Sequence, residues 1–431
     1  VAARPGLSFV IAEAIGLAAF AAAVTATLAP RTWRRILEHS VLDRPAHGEV
    51  APAPVELHDL ACPERQLTTR ERADAAEAML RTIGLTESFA PVLILAGHGS
   101  TTENNAFATA YDCGACGGNA GLLNAQAMAQ VLNDAAVRTE LSRRGILIPQ
   151  DTRVLAALHD TTTDQVTLHA TSPSDAAAAA YVEPALAEAS RRTAAERQPA
   201  LTTQGRPTTL VRRATGASLS ARASDWSEPM PEWGLAGCAA IIVGPRHLTR
   251  GIDLSGRTFL HSYDRHHDPD GTVLAAILNA PVVVSQWIAS QYWFSSVAPT
   301  TLGAGDKTTH NIVGDIGVLT GAHGDLRTGL PWQALFAHDP GSRPDTRSDP
   351  QHIPSRHLVV VDADPTTLAE AVRRSPTVLA LLAHGWMRLV ALDHGRITPI
   401  DEVLADETGR PASSQPPQRQ DDPQADRRSH E

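Results

Sequence analysis

The side chains best suited to chemistry are one histidine and two cysteines. His98 is enclosed by Gly97 and Gly99, and Cys113 and Cys116 follow within the sequence DCGACGG. Imidazole nitrogen and cysteine sulfur are ligands that zinc prefers. A CxxC pair at the start of a helix can instead act as a redox couple, because the helix dipole lowers the thiol pKa. The residues alone leave three hypotheses open: half of a zinc site, a redox pair, or small buried cysteines packed among glycines.

A mononuclear zinc site needs about four ligands, and His98 and Cys113 would supply two of them. No second CxxC exists in the sequence, which excludes a four-cysteine zinc knuckle. Other histidines and carboxylates could contribute, although none has a ligand-type spacing: Asp112, His159, Asp160, His261, Asp264 and His310. On spacing alone the ligand set is incomplete.

Alternating strand and helix patterns position these residues. The apolar run 91–96 predicts a buried strand that delivers His98 to the edge of a sheet, and the glycine-rich turn at 112–118 predicts the start of a helical region. The other patterns predict helices over 71–84, 173–200 and 365–374, strands within 145–170 and over 236–244, 357–363 and 386–393, and strand-like apolar runs within 272–297. This alternation indicates the α/β class.

The same patterns suggest how the chain divides. We expect a hydrophobic helix in 1–40 packed on the core or a membrane, a linker and helix in 41–90, a zinc-site α/β core in 91–335 with a helical insertion at 173–200, a C-terminal β-α-β module in 336–400, and a disordered tail in 401–431. The stretch 7–30 is long enough to span a membrane and could also be a signal peptide, but Glu13 and its many alanines favour a buried helix.

Composition excludes several classes of protein. A net charge of −10 without a basic stripe argues against a nucleic-acid surface. Four cysteines in 431 residues are too few for a disulfide scaffold, which favours a reducing, cytosolic compartment.

The stretch GHGSTTENNAFATAYDCGACGG resembles the DabA family of probable inorganic carbon transporter subunits. Further segments are similar to the same family in the same order: RRGILIP (143–149), HDTTTD (159–164), ASDWSEPMPEWGLAG (223–237), GRTFLHSYD (256–264), WIASQYWFSSV (287–297), GAGDKTTHNIVGDIGVLTG (303–321) and GDLRTGLPWQAL (324–335). The resemblance covers nearly everything from residue 8 to about residue 395. Such long ordered matches are far more specific than any single motif.

The resemblance implies a site like that of a β-type carbonic anhydrase, built on a mixed sheet core with flanking helices. In the family, zinc is held by two cysteines, an aspartate and a histidine, and the matching positions here are His98 and Cys113. Cys116 matches a residue that is not a ligand. The other two ligands belong to an upstream Cys-x-Asp-x-Arg element, which this sequence does not contain; the segment 62–65 (CPER) does not fit it. We therefore expect the upstream half of the site to lie outside these 431 residues.

The resemblance also implies partners and a location. The expected function is hydration of CO2 to bicarbonate in an energy-coupled uptake system, with a membrane-embedded, cation-conducting DabB-type subunit as partner. The chain would then lie on the cytoplasmic side of the cell inner membrane as a peripheral protein. Whether it is itself an enzyme stays open, since a non-catalytic scaffold or, less favoured, a thiol oxidoreductase would also fit. No nucleic-acid partner is expected.

A few residues have weaker functional interpretations. Lys307, the one lysine in the sequence, could bind an anion in its glycine-rich loop or simply be solvated. His261 and His310 could relay protons near the zinc. The tryptophan-rich segments 226–233 and 287–294 could face a partner or pack in the core.

Overall fold

A computed structural model describes residues 67–101, 119–204, 219–224, 237–306 and 352–408, together with shorter stretches near residue 24, at 112, 113 and 116, and within 310–335. The strands are β1 (Val92–Gly99), β2 (Arg153–Asp160), β3 (Gln165–His169), β4 (Ala240–Val243), β5 (Thr258–His261), β6 (His310–Val313), β7 (Gly317–Thr320), β8 (Leu326–Arg327), β9 (His357–Val361), β10 (Met387–Asp393) and β11 (Arg396–Pro399). The helices are α1 (Thr69–Thr82), α2 (Leu122–Asn133), α3 (Ala135–Arg143), α4 (Pro173–Gln204), α5 (Leu219–Ala223), α6 (Thr272–Ile277), α7 (Val283–Val297), α8 (Pro299–Leu302), α9 (Trp332–Leu335), α10 (Pro365–Arg373), α11 (Pro376–Ala383) and α12 (Ile400–Thr408).

The strand that carries His98 belongs to a three-stranded mixed sheet in the order β1-β2-β3. β1 and β2 are parallel, and their register pairs His98 with His159. β3 returns antiparallel to β2. Helices α2 and α3 connect the two parallel strands, and α1 packs beside them over a core that includes Leu80, Leu132 and Leu141. The strand predicted from the apolar run at 91–96 is present and extends to Gly99. Its expected burial is wrong, because Val92 to Leu95 are only half-buried and Ala96 is exposed.

A second sheet has the order β11-β10-β9-β4-β5 and contains both parallel and antiparallel pairs. β9 is hydrogen-bonded in parallel to β4, with Val361 opposite Val243, and to β10 on its other side. The predicted β-α-β succession of 357–393 is present, and its strands continue the sheet that begins at residue 240. The inward side chains of β4 and β9 are buried in one core. The backbone N–H and C=O groups of these two short apolar strands are satisfied by hydrogen bonds between the strands. One sheet therefore combines strands from both sides of the boundary expected near residue 336.

The interval 272–297, whose apolar runs look strand-like, is helical. α6 and α7 are joined by a π-helical turn, Leu278–Val282, that contains Pro281. Proline lacks the N–H for an α-helical hydrogen bond, which accounts for the irregular turn. A helix that is covered on several sides has apolar residues all round, so its sequence does not show the 3.6-residue alternation of apolar and polar positions. Such a run cannot be distinguished from a buried strand by its pattern alone.

In the part of the chain that is described, the segment Thr272–Val297 is long and apolar enough to cross a membrane, and half of its most apolar stretch is buried inside the protein. A buried core helix meets the same criterion, so the finding is weak evidence for a membrane span. The hydrophobic helix expected in 1–40 lies almost entirely outside the described residues.

The remaining elements are a small sheet and a C-terminal helix. A small antiparallel sheet has the order β6-β7-β8. Residues 401–408, expected to begin a disordered tail, instead form most of α12, because Ile400 is fully buried and Val403 and Leu404 pack against the core of the five-stranded sheet. Residues beyond 408 lie outside the described range. The architecture is mixed α/β, with mixed sheets and flanking helices.

Candidate functional site

A close approach of two glycines joins the His98 strand to the cysteine loop. A Cβ atom on Gly97 would lie 2.3 Å from the carbonyl carbon of Gly121, the residue that precedes α2. The backbone N–H of Gly121 donates to the carbonyl oxygen of His98 at 2.8 Å. Only glycine lets the two backbones approach this closely, and the contact places the start of α2 beside the end of β1.

The loop before α2 is tied together by short-range hydrogen bonds. The N–H of Cys113 donates to the carbonyl of Asn119 at 3.1 Å, and that of Cys116 donates to the carbonyl of Cys113 at 2.9 Å. The side-chain amide of Asn124 on α2 lies 3.1 Å from the Cys116 sulfur. Asp112 accepts from the backbone N–H of Ser100 at 3.0 Å. These bonds link Asp112 to the turn that follows His98, Cys113 to Asn119, and Cys116 to helix α2.

The electrostatics of the three side chains differ. Burial, and secondarily the charge of His159, lowers the pKa of His98, so its imidazole is neutral at pH values near 7 and able to ligate a metal. Burial, together with a hydrogen bond to Cys113, raises the pKa of the Cys116 thiol despite the opposing contact from Asn124. A raised thiol pKa is the reverse of what a redox nucleophile needs. The Cys116 thiol thus does not have the lowered pKa expected of a redox nucleophile.

The turn after β2 forms a dense polar cluster at the same edge of the sheet. Asp160 accepts hydrogen bonds from the backbone N–H groups of Thr101 and Thr162, both at 3.1 Å, and from the hydroxyl of Thr163 at 2.7 Å. The hydroxyls of Ser100 and Thr162 are 2.7 Å apart. These bonds join the turns after β1 and β2, so the segments GHGS (97–100) and HDTTTD (159–164) form one structure although they are far apart in the sequence. Ligands of open α/β sheets commonly bind at the carboxyl ends of parallel strands.

Asp164, which closes this turn, connects the cluster to helix α4. Its carboxylate lies 3.2 Å from the Nε2 atom of His159 and accepts a hydrogen bond from Nη1 of Arg197. The same Nη1 donates to the carbonyl oxygen of Thr161 at 2.8 Å. Burial would raise the pKa of Asp164, but the His159 hydrogen bond and the charge of Arg197 outweigh it and hold the pKa below its usual range. The ion pair pins the alanine-rich helix onto the edge of the candidate site.

Sequence reasoning missed Arg197 at this position. Its helix reads as a spacer, and the arginine is 33 residues from Asp164. The one signal in the sequence was the polar HDTTTD string, which contains five hydroxyl or carboxylate side chains in need of partners.

Several other residues with functional interpretations lie elsewhere. His261 is in β5 of the five-stranded sheet, not in the sheet of His98; burial lowers its pKa, and its Nδ1 is 3.0 Å from the carbonyl of Ser262. His310 is in β6 of the small sheet. Asp264 accepts from the N–H of His266 and caps a short 3-10 turn. In the 287–294 segment Trp287 is 61% exposed, whereas Tyr292 is buried and bonded to the backbone of residue 352. Lys307 and the 226–233 segment lie outside the described residues.

His98 and Cys113 carry donor atoms of the types that zinc prefers. His98 offers a neutral imidazole and Cys113 a sulfur, on two segments held together by the Gly97–Gly121 contact. Among the residues that the structure describes, no group of three histidine, cysteine or carboxylate side chains is placed to hold one metal ion. The chain thus provides two candidate ligands of a site that needs about four.

Comparison with known proteins gives a consistent result. The family model described as "Probable inorganic carbon transporter subunit DabA" matches residues 2–387. A relative of that name from Rhodopseudomonas palustris (strain TIE-1) is 48% identical over 330 residues, which cover 76% of this chain and 39% of the relative. A Rhodopirellula baltica relative, DabA 1, is 43% identical over 81% of this chain and 37% of its own length. One from Novosphingobium aromaticivorans is 42% identical over 90% of this chain and 44% of its own length.

The chain spans about two fifths of the length of these curated relatives. No solved structure matches it significantly. The extent of the family match and the level of identity to several relatives establish that the chain belongs to the DabA family of probable inorganic carbon transporter subunits.

Proposed function

We propose that this chain provides half of a zinc site for the hydration of CO2 to bicarbonate, within an inorganic carbon uptake complex. His98 and Cys113 would hold the metal, and the two other ligands would come from an upstream Cys-x-Asp-x-Arg element outside this sequence. The observation that carries the proposal is the Gly97–Gly121 contact, which brings the cysteine loop against the His98 strand. The proposal includes a β-carbonic-anhydrase-like core and a peripheral position on the cytoplasmic face of the cell membrane, beside a DabB-type cation-conducting subunit.

Bound zinc would supply the Lewis acidity that makes water a nucleophile near neutral pH. The protein's part is to present a neutral imidazole and a sulfur in fixed positions. The lowered pKa of His98 keeps one of its two ring nitrogens free of a proton. The thiol of Cys116, whose pKa is raised, supports the Cys113 sulfur as a hydrogen-bonding neighbour. The polar cluster around Asp160 fixes the turn that follows the histidine.

Metal analysis of the chain reconstituted with a polypeptide carrying the upstream element tests the proposal. We expect stoichiometric zinc in the wild-type complex, loss of zinc in His98→Ala and Cys113→Ser, and retained zinc in the matched variant Cys116→Ser. Retention of zinc by His98→Ala or Cys113→Ser would refute the ligand assignment. A wild-type complex that assembles without zinc would favour the non-catalytic scaffold. Loss of a disulfide-exchange activity in Cys116→Ser would instead support the thiol oxidoreductase.

A further inference from the structure

Arg197 uses only one of its hydrogen-bonding edges within the protein. Its Nη1 atom donates to Asp164 and to the carbonyl oxygen of Thr161. Its Nε and Nη2 atoms are shielded from solvent, and no hydrogen-bond partner is found for either among the described residues. A buried N–H group without an acceptor is destabilising, and a charged one is more so. A ligand with two oxygen atoms would satisfy both donors once it displaced the protein atoms that shield them.

The two donors on the unused edge of Arg197 match the geometry of one class of ligand. The Nε and Nη2 hydrogens of a guanidinium point in the same direction and match the two oxygens of a planar oxyanion such as a carboxylate. Bicarbonate is a planar oxyanion of this kind. A spherical halide would engage the same edge without the paired geometry.

The position of Arg197 connects it to the candidate metal site. Asp164 bonds to both Arg197 and His159, and His159 is the register partner of His98 on the neighbouring parallel strand. The backbone N–H of Thr161, whose carbonyl accepts from Arg197, donates to the carbonyl oxygen of Gly99. The guanidinium is therefore tied by two routes to the strand end that carries His98.

The charges that face this arginine favour weak, reversible binding. Asp164 already neutralises Arg197, and the nearby Asp160 accepts hydrogen bonds from hydroxyl and backbone donors. An anion bound here would accept two hydrogen bonds from Arg197, but the local net positive charge would be small because of Asp164. A dissociation constant on the order of millimolar, equivalent to about 4 kcal/mol, suits a product that must leave.

We propose that the Nε–Nη2 edge of Arg197 binds bicarbonate at the rim of the site formed by the turns after β1 and β2. The choice of bicarbonate among planar oxyanions rests on the proposed function, whereas the oxyanion site itself rests on the arginine geometry. The helix α4 then has a role beyond bracing, because it delivers the residue that holds the inorganic carbon species.

The test is the melting temperature of the 431-residue chain titrated with bicarbonate in mildly alkaline buffer containing EDTA. Chloride is used to keep the ionic strength constant, and sulfate serves as a non-planar anion for comparison. A ligand that binds only the folded state raises the melting temperature with its concentration. We expect a saturable rise with bicarbonate that neither chloride nor sulfate reproduces.

Two matched lysine variants identify the residue. Arg197→Lys keeps a positive charge for Asp164 but removes the paired donors, so we expect bicarbonate to bind at least about tenfold more weakly. Arg192→Lys changes an arginine on the same helix that is 75% exposed and paired with Glu188, so we expect the wild-type response. An unchanged response in Arg197→Lys, or an equal loss in Arg192→Lys, would overturn the proposal.

A third variant keeps the proposal testable if Arg197→Lys does not fold. Asp164→Asn retains the arginine and removes the competing carboxylate charge, so bicarbonate should bind at least as tightly as in the wild type. Loss of binding in this folded variant would contradict a direct contact with the arginine. Because EDTA removes zinc from every sample, these outcomes are independent of the metal analysis, and either proposal can fail while the other stands.

Discussion

His357 shows at the residue scale how burial makes the stability of this protein depend on pH. The side chain is 1% exposed, and its Nε2 lies 2.8 Å from the hydroxyl of Ser285 on α7. Burial lowers the pKa of His357 from 6.5 to about 4. The folded protein therefore keeps this imidazole neutral under conditions in which the unfolded chain would protonate it.

The sign of the effect follows from proton linkage. The folded-state pKa is below the unfolded value of 6.5, so the stabilising contribution is complete above pH 6.5 and is lost as the pH falls toward 4. Over that range the loss approaches about 3 kcal/mol. We expect His357→Gln, which preserves an acceptor or donor for Ser285 without titrating, to flatten the dependence in urea unfolding between these pH values.

His247→Gln is the matched control for this prediction, because that histidine is exposed on a short 3-10 turn. Its unfolding free energy should follow the wild-type pH dependence. If His357→Gln followed it as well, the titration of another group would explain the acid sensitivity.

At the scale of elements, the contact between β1 and the start of α2 is the feature on which the candidate site depends. Gly97→Ala would place a methyl group 2.3 Å from the backbone of Gly121, which requires the strand and helix to separate. We expect a loss of at least about 1–3 kcal/mol of unfolding free energy, typical of overpacking. In the reconstituted complex the zinc content should fall as well, since the cysteine loop would shift.

Gly145→Ala provides the comparison for this variant. Gly145 has φ +86°, and no atom lies within 4 Å of the position that an alanine methyl group would take, so its substitution strains the backbone without a collision. We expect about 1 kcal/mol of destabilisation and an unchanged zinc content. Equal effects of the two substitutions on zinc would show that the close contact does not position the loop.

A second element-scale prediction concerns Asp134, which precedes α3. Its carboxylate accepts from the backbone N–H groups of Ala136 and Val137 and forms an ion pair with Arg72 of α1 at 2.6 Å. Asp134→Asn should keep the helix cap and lose only the ion pair, whereas Asp134→Ala loses both. We expect Asp134→Ala to cost about 1 kcal/mol in chemical denaturation and Asp134→Asn clearly less. Equal losses in the two variants would show that the ion pair, not the cap, is the main contribution.

At the scale of the whole molecule, the five-stranded sheet unites segments that are far apart in the sequence. Leu389 of β10 is buried in the same core as Ile241 of β4. Leu389→Ala should lower the unfolding free energy by about 2–5 kcal/mol. Because one sheet contains both strands, hydrogen exchange should accelerate in β4 and β5 as well as in β9 and β10.

Leu132→Ala is the matched substitution in the other core, beneath the β1-β2-β3 sheet. It should raise exchange mainly in β1 and β2. Exchange that increased only in residues 357–399 after Leu389→Ala would instead indicate an independent C-terminal module.

The sequence by itself determined the local features of this protein. The apolar run that ends at Gly97-His98-Gly99 predicted a strand, and the pattern over 71–84 predicted the helix found at Thr69–Thr82. The succession 357–393 predicted two strands with helix between them. The family, and with it the candidate ligands His98 and Cys113, also followed from sequence. These properties depend on residue type and short spacing, which a linear pattern contains.

The tertiary structure determined the features that depend on contacts between residues far apart in the sequence. It placed β9 beside β4, turned the apolar interval 272–297 into helix, and extended the folded chain through α12. It also brought Arg197 of a spacer-like helix to Asp164, and Gly121 to Gly97. Strand order and helix docking depend on which buried surfaces fit together and on which polar groups form hydrogen bonds. These long-range contacts leave no periodic pattern in the sequence around the residues involved, so the sequence alone does not predict them.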